Sequence, residues 1–373
     1  MQEQKISKFQ IVVTVVGFLG LLFIPSIAWV FCHDLIGDDM SENRKLAEVP
    51  EFKLGKISVF PKKFENFYND HVPFRAVIRG AWSNLNVIGM HDSVSSKVTI
   101  GKSKEGFSKS WMFYSPDGYS NTVLDAQGLM EFGDEKMSKM KMVMKDNAAN
   151  MDERGIELYY FVPPNKSSIY KEMLPDNVEI YNDTRRIKRF EDYLGRTSNY
   201  KFAEDDLLEA KNIEPLYYSS DTHWNKLGAF VGFKSLMKMI EPEYKNFDYK
   251  ISKNETRKGG DLAGMLGLGD YFLDVNIDIQ YLNSLTYKET VEQMDASALV
   301  ETTNNKAPIK KTIMVVGDSF RENMKDYLAK TFSHCVLVHR EDYKEEMIAE
   351  YKPNTIVLEF VEKMINHIDE VKL

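Results

Sequence analysis

The run Thr312-Ile313-Met314-Val315-Val316 is short, continuous and apolar, and it ends at Gly317-Asp318-Ser319 with a helical pattern directly after it. A run of this kind reads as a strand covered on both faces of a sheet, which requires helices above and below. The pattern recurs along the chain. Ile156 to Val162 is a second strand, stopped by Pro163-Pro164, and Val336–Val338 and Thr355–Leu358 are two more. Between them the spacing predicts helices from Asp134, as a cap, to about Arg154 with a stop at Gly155. Further helices are expected over about 183–194, 205–210, from an Asn225 cap to about Ile240, from Ser319 to about Phe332, and over about 342–351. Met137, Met140 and Met144 recur at helical spacing and read as a core face. Strands alternating with helices predict an α/β fold in three layers around a central, mainly parallel sheet. In such sheets functional residues gather beyond the carboxyl ends of strands. Asn165, Asp221, Ser319 and Arg340 all follow predicted strands.

The other end of the chain sets the compartment. Ile11 to Cys32 is 22 residues without a charge, enough to span a bilayer of about 30 Å as a helix. Lys5 and Lys8 precede it, and Asp34, Asp38 and Asp39 follow. The positive-inside rule then leaves a short N-terminus in the cytoplasm and exports the rest, giving a single-pass protein of the cell membrane. Ser26-Ile27-Ala28 has the small-x-small pattern of a signal-peptide cleavage site, which is the competing reading. Both export the remainder of the chain. The expected organisation is a stub and anchor over 1–33, a juxtamembrane connector and N-terminal part over 34–120, and a catalytic domain over 121–373. Phe64 to Met90 has helical character, and Lys97 to Gly118 reads as strands and loops.

A net charge of -8, with Lys and Arg scattered, gives nucleic-acid binding no electrostatic support. Cys32 and Cys335 offer neither a disulfide framework nor zinc spacing, and both read as structural. His33, His71, His91, His334, His339 and His367 form no convincing ligand set with neighbouring carboxylates. Asp270, Asp274 and Asp278 form no definite calcium loop. No metal and no bound cofactor are expected.

A strand that delivers Ser319 to the mouth of a helix exposes its hydroxyl and aims the first amides of that helix at the same place, as a developing oxyanion requires. The same residue types also make an ordinary helix cap. A serine nucleophile needs a base, and the base needs a partner to fix its tautomer. In an extended Asp221-Thr222-His223 segment, the first and third side chains emerge on one face. That makes His223 the candidate base and Asp221 its orienter, although a lone Asp-x-His also fits a surface loop.

Asp221-Thr222-His223-Trp224 before a helix, with Gly317-Asp318-Ser319-Phe320 downstream, resembles the alginate O-acetyltransferase-like branch of the SGNH hydrolase superfamily. Further short motifs follow in the same order: Asn43-Arg44-Lys45-Leu46, Asp70-His71-Val72-Pro73-Phe74-Arg75, Gly101-Lys102 and Trp111-Met112-Phe113-Tyr114. Pro164-Asn165-Lys166-Ser167-Ser168-Ile169-Tyr170 and Gly260-Asp261-Leu262-Ala263 complete the series, so the resemblance covers roughly residues 43 to 362. It implies an SGNH-like fold and a triad of Ser319, His223 and Asp221, with Asp-x-His preceding the serine. It also implies transfer of acetyl groups to a cell-surface or secreted polysaccharide. The acetyl would come from a multi-span membrane-bound O-acyltransferase partner. Two departures stand out: the stretch between Gly101-Lys102 and Trp111 is long for the pattern, and the Gly-x-Asn-Asp block of ordinary SGNH hydrolases is missing. The second oxyanion donor is therefore open, with Asn165, Lys166 and Arg340 as candidates and Trp224 as a further substrate-binding candidate. An acetyl esterase with the same triad, or a polysaccharide-binding scaffold without catalysis, are the alternatives.

Overall fold

The structure is a computed structural model that describes residues 8–32, 47–53, 55, 57–71, 81–83, 85–90, 95–103, 110–245, 248–281 and 286–373. The flank of Asp34, Asp38 and Asp39, the motif Asn43 to Leu46, and Val72 to Arg75 lie outside these residues. The chain divides into two compact units, residues 1–94 with 264–268, and residues 95–263 with 269–373.

In the first unit a helix covers Lys8–Cys32, where the uncharged run lies. Among the described residues no helix is long and apolar enough to cross a membrane. A second helix, Phe60–His71, carries Phe60, Phe64 and Tyr68 four residues apart, and their rings stack in turn. A π-helical turn follows at Leu85–Met90.

The second unit is built on a seven-stranded sheet. From edge to edge its strands are β4 (Tyr200–Phe202), β3 (Glu157–Val162), β11 (Thr355–Glu359), β9 (Ile309–Gly317), β10 (Phe332–His339), β8 (Ala298–Thr303) and β7 (Lys288–Gln293). The first five run parallel, and β8 and β7 close the far edge antiparallel. Side chains alternate across the sheet, as the two-residue period of a strand requires. Ile313, Val315, Val357 and Leu337 enter one core, beneath Leu227, Phe230, Phe233 and Leu236 of the helix Lys226–Ile240. Met314, Val316, Leu358 and Val336 enter the other, against Met137, Met140, Met144 and Met151 of the helix Asp134–Glu153. This is the expected three-layer arrangement with the methionines as a core face. Cys335 is buried in the first core, and burial pushes its thiol up to about 12.

Several elements differ from expectation. Gly133, not Asp134, is the cap of the long helix, and it makes no side-chain cap bond. The segment after Ser319 is a 3-10 turn, Ser319–Met324, and only then an α-helix, Lys325–Thr331. The later helix is confined to Glu346–Tyr351. Asp221 does not follow a strand; Tyr217 and Trp224 form a single antiparallel bridge, so the chain turns back on itself between them. The second compact unit begins at residue 95. The pair β1 (Val98–Ile100) and β2 (Met112–Tyr114) belongs to the second unit because Trp111 and Phe113 sit in its core. Two polar pairs were not anticipated: β7 with β8, and a ribbon of β5 (Tyr249–Lys258) with β6 (Leu273–Tyr281).

Candidate active site

Strand β9 delivers Ser319 from the middle of the sheet. Gly317 ends the strand where a Cβ would lie 2.3 Å from Glu359 Oε2, so only glycine lets β9 and β11 approach this closely. Asp318 then fixes the turn with both carboxylate oxygens. Oδ1 accepts the Phe320 amide at 3.0 Å, and Oδ2 accepts the Val361 amide at 2.7 Å. Its own amide donates to buried Glu359 at 3.0 Å, whose carboxyl is pushed well above its ordinary value by burial and by the charge of Asp318. Arg321, also buried, donates to the Asp318 carbonyl at 2.6 Å. The Phe320 amide is thus already used. That of Arg321 is turned to the Asp318 carbonyl, which leaves the amide of Ser319 itself at the mouth of the turn.

The loop of residues 218–223 comes from elsewhere in the chain and is shaped by buried polar side chains. Asp274, on β6, accepts the amides of Ser219 and Ser220 at 2.9 and 3.1 Å and their hydroxyls at 2.6 and 2.5 Å. Lys166 donates to the carbonyls of Tyr218, Ser219 and Asp221 at 3.1, 2.9 and 2.6 Å. Burial lowers its pKa to about 8, against the pull of Asp274, Asp261 and Asp221. Asp261 accepts the Thr222 amide and hydroxyl at 2.8 and 2.5 Å. Gly260 lies flat against Asp221; a Cβ there would sit 2.3 Å from the Asp221 Cβ.

These two pieces meet in a continuous relay. His223 Nε2 lies 2.6 Å from Ser319 Oγ, and His223 Nδ1 lies 2.7 Å from Asp221 Oδ1. Asp221 Oδ1 also accepts the His223 amide at 3.0 Å, which a turn allows and an extended segment would not. The carboxylate at Nδ1 assigns the proton to that nitrogen and leaves Nε2 to accept from the serine. Asp261 Oδ2 stands 4.0 Å from Nδ1. Burial opposes a charge on His223, but the hydrogen bond and charge of Asp221 and the charge of Asp261 outweigh it and raise its pKa; Lys363 works the other way. Ligand atoms of Asp221, His223 and Asp261 lie within 4.8 Å of one another, a spacing that a metal could use. Both ring nitrogens are already hydrogen-bonded, so the relay accounts for the cluster.

The remaining candidates separate. Asn165 is buried, and its Oδ1 accepts the Lys363 amide at 3.1 Å. That bond orients the side-chain amide and leaves Nδ2 buried and without a partner. Asn165 lines a small pocket with Phe113, Tyr114, Thr222, Phe320 and Lys363. Lys166 contributes its stem to that pocket, but all three of its N–H donors serve loop carbonyls, so it braces the loop rather than presenting a donor. Trp224 is fully buried and donates its indole N–H to the Phe320 carbonyl at 3.1 Å, tying the histidine loop to the serine turn instead of facing substrate. Arg340 pairs with Glu341 at 2.9 Å and is not part of the relay. Asp261, Asp274 and Lys363 were not singled out from the sequence as site residues.

With this geometry in place, similarity to known proteins becomes informative. The family described as SGNH hydrolase-like domain, acetyltransferase AlgX, matches residues 108–347. The chain belongs to this family. The probable alginate O-acetylase AlgJ of Pseudomonas aeruginosa is 24% identical over 220 residues, covering 56% of this chain and 51% of the relative. The chain thus spans about half the length of that curated relative. Among solved structures, a DHHW family protein from Eubacterium siraeum matches with a TM-score of 0.54 at 14% identity, covering 75% of this chain and 96% of the other. Bacillus cereus PatB1 with a sulfonyl adduct matches with a TM-score of 0.52 at 14% identity, covering 70% and 95%. At these identities the two structures show a shared fold. Membership in the SGNH hydrolase-like family agrees with the parallel sheet and with the motif order read from the sequence.

Proposed function

We propose that this chain transfers acetyl groups to hydroxyls of a cell-surface or secreted polysaccharide through an acetyl-serine on Ser319. The observation that carries this reading is the relay of Asp221, His223 and Ser319, with its 2.7 and 2.6 Å bonds. Ser319 Oγ attacks the carbonyl of an acetyl ester while His223 Nε2 takes its proton. The tetrahedral oxyanion forms near the Ser319 amide, with Asn165 Nδ2 as the second donor. Collapse expels the donor alcohol, which takes the proton from His223. A sugar hydroxyl then attacks the acetyl-serine, gives its proton to His223, and restores Ser319 as the acetyl leaves. Asp221 holds the imidazole tautomer throughout. The family description and the acetylase name of the AlgJ relative support acetyl as the group transferred.

The uncharged run Ile11 to Cys32 supports a membrane anchor with the active site outside the cytoplasm. Acetyl-CoA is then out of reach, so the acetyl donor is supplied across the membrane by a multi-span O-acyltransferase partner.

The test is mass spectrometry of the purified full chain after exposure to p-nitrophenyl acetate, with and without polysaccharide fragments. The expected result is one acetyl on Ser319, discharged onto fragments. Discharge to acetate alone, whatever the acceptor, makes the protein an esterase. Continued polymer acetylation in cells carrying Ser319→Ala makes it a scaffold.

A further inference from the structure

Two carboxylates flank the imidazole of His223, Asp221 at 2.7 Å and Asp261 at 4.0 Å from Nδ1. Asp318 stands beside Ser319 in the next turn. Unopposed, this much negative charge favours the imidazolium, and an imidazolium cannot accept the serine proton. Lys166 lies on the same side of the site, but its ammonium is bound to three carbonyls of the loop. Arg321, buried beside Asp318, is engaged by the Asp318 carbonyl at 2.6 Å. A further cation is Lys363, in the 3-10 turn Glu362–His367 just beyond β11. Its backbone is held by Asn165 Oδ1 at 3.1 Å. Its ammonium lies 4.6 Å from the centroid of the Tyr114 ring, and it lines the same pocket as Thr222 and Phe320, the chain neighbours of His223 and Ser319. Among the described residues it forms no ion pair. Burial pulls its pKa down, while Asp261, Asp318 and Asp221 oppose that pull. The nearby phenol of Tyr114 has its pKa raised by burial and by Asp261, so it stays neutral and leaves the balance unchanged. Lys363 also lies past residue 347, where the family match ends.

We propose that Lys363 is a positioning charge that offsets Asp261 and so favours the neutral form of the His223 imidazole, the form able to accept the Ser319 proton. The proposal rests on the reading of His223 as general base. Its role is electrostatic, exerted through His223, and requires a cation at this place rather than a particular shape.

The experiment is the pH profile, from 5 to 9, of the second-order rate at which phenylmethylsulfonyl fluoride modifies Ser319 in the purified full chain. Sulfonylation needs the neutral imidazole but neither the natural donor nor the acceptor, so the rate falls on the acid side as His223 protonates. In Lys363→Met the midpoint of that acid limb moves up by about one pH unit, which is about a tenfold slower reaction well below the midpoint. Lys363→Arg keeps the wild-type midpoint. Asp261→Asn moves it down. Thermal melting of each variant identifies any that fail to fold, and the Arg and Asn variants then still carry the test. A midpoint in Lys363→Met that stays put or moves down overturns the proposal, as does an Arg variant that behaves like Met. If wild-type Ser319 is never sulfonylated, the nucleophile reading itself fails. If it is sulfonylated without an acid limb, the base assignment fails instead.

Discussion

The two halves of the relay are held in place by different physics. The Ser319 turn sits at the end of β9, flanked by β11 and β10, and its position follows from packing: buried Met314, Val315 and Val316 leave little freedom in where the strand ends. The histidine loop lies outside the sheet, tied by the Tyr217–Trp224 bridge and by the backbone amides of Met112 on β2 and of Ala263, which donate to the Ser219 and Ser220 carbonyls. It is held by charged and polar side chains from distant segments, Lys166 from the turn after β3, Asp274 from β6 and Asp261 from the segment after β5. A site half built on packing and half on a polar network should therefore fail in two distinguishable ways.

The largest effect belongs to the meeting point. Ser319→Ala removes the proposed nucleophile and should lower acetyl transfer by about 10³-fold or more, with melting temperature nearly unchanged. Equal losses of rate and of melting temperature would mean that the hydroxyl serves the fold instead.

Next comes a pair of glycines that separates the halves. Gly317→Ala forces a methyl to 2.3 Å from Glu359 Oε2 between two central strands, so its cost should fall on stability, on the order of 3 kcal/mol, measured by denaturant unfolding. Gly260→Ala forces a methyl to 2.3 Å from Asp221 Cβ at a part-buried position, displacing the orienting carboxylate. Here the loss should fall on transfer rate, about 10²-fold, with a smaller loss of stability. If the two variants lose rate and stability in the same ratio, the distinction between packed and polar halves is wrong.

Asp274→Ala probes the network more gently. It leaves the buried amides of Ser219 and Ser220 without their acceptor. An unsatisfied buried group costs about 1–3 kcal/mol. We expect a loss of roughly that size in unfolding experiments and about tenfold in transfer rate, with Asp274→Asn recovering part of both. A variant as active as wild type would show that the loop is shaped by its own sequence.

The same division explains how much could be read before the structure. The serine turn was legible because its signal is local, a strand-type apolar run ending at Gly317-Asp318-Ser319, although the Glu359 and Val361 contacts that fix it are distant in sequence. The Asp221–His223 pairing was legible as a motif, but its geometry was not. The two side chains meet because the chain turns back between Tyr217 and Trp224, not because an extended strand points them together. The bracing contacts of Lys166 were not legible, since nothing local to it shows that three carbonyls more than fifty residues away take its donors. Asp274 had a visible signal in the alternation Leu273, Val275, Ile277, Ile279 with polar residues between, which is a strand pattern. The sequence offers Asp274 no definite calcium loop, and nothing local to it points to the serine amides it accepts. The edge strand β7 carried almost no apolar signal, because Lys288 to Gln293 are all exposed.

The smallest effect is also the sharpest test of the polar half. Lys166 has a pKa lowered by burial to about 8, and only its ammonium form has three donors for the three loop carbonyls. Above about pH 8 the neutral amine keeps two, so the loop should loosen and the sulfonylation rate at Ser319 should fall a few-fold. Stability moves the other way. The unfolded lysine holds its proton to about 10.4, so between these values the unfolded state binds more protons than the folded one, and the Lys166 contribution to stability rises with pH. The expected signature at pH 9 is thus a slower Ser319 with no Lys166-linked drop in melting temperature. The rate decline, but not the hydroxide-driven background, should vanish in Lys166→Arg, which stays charged. A decline that persists in the Arg variant would assign the alkaline limb to another group.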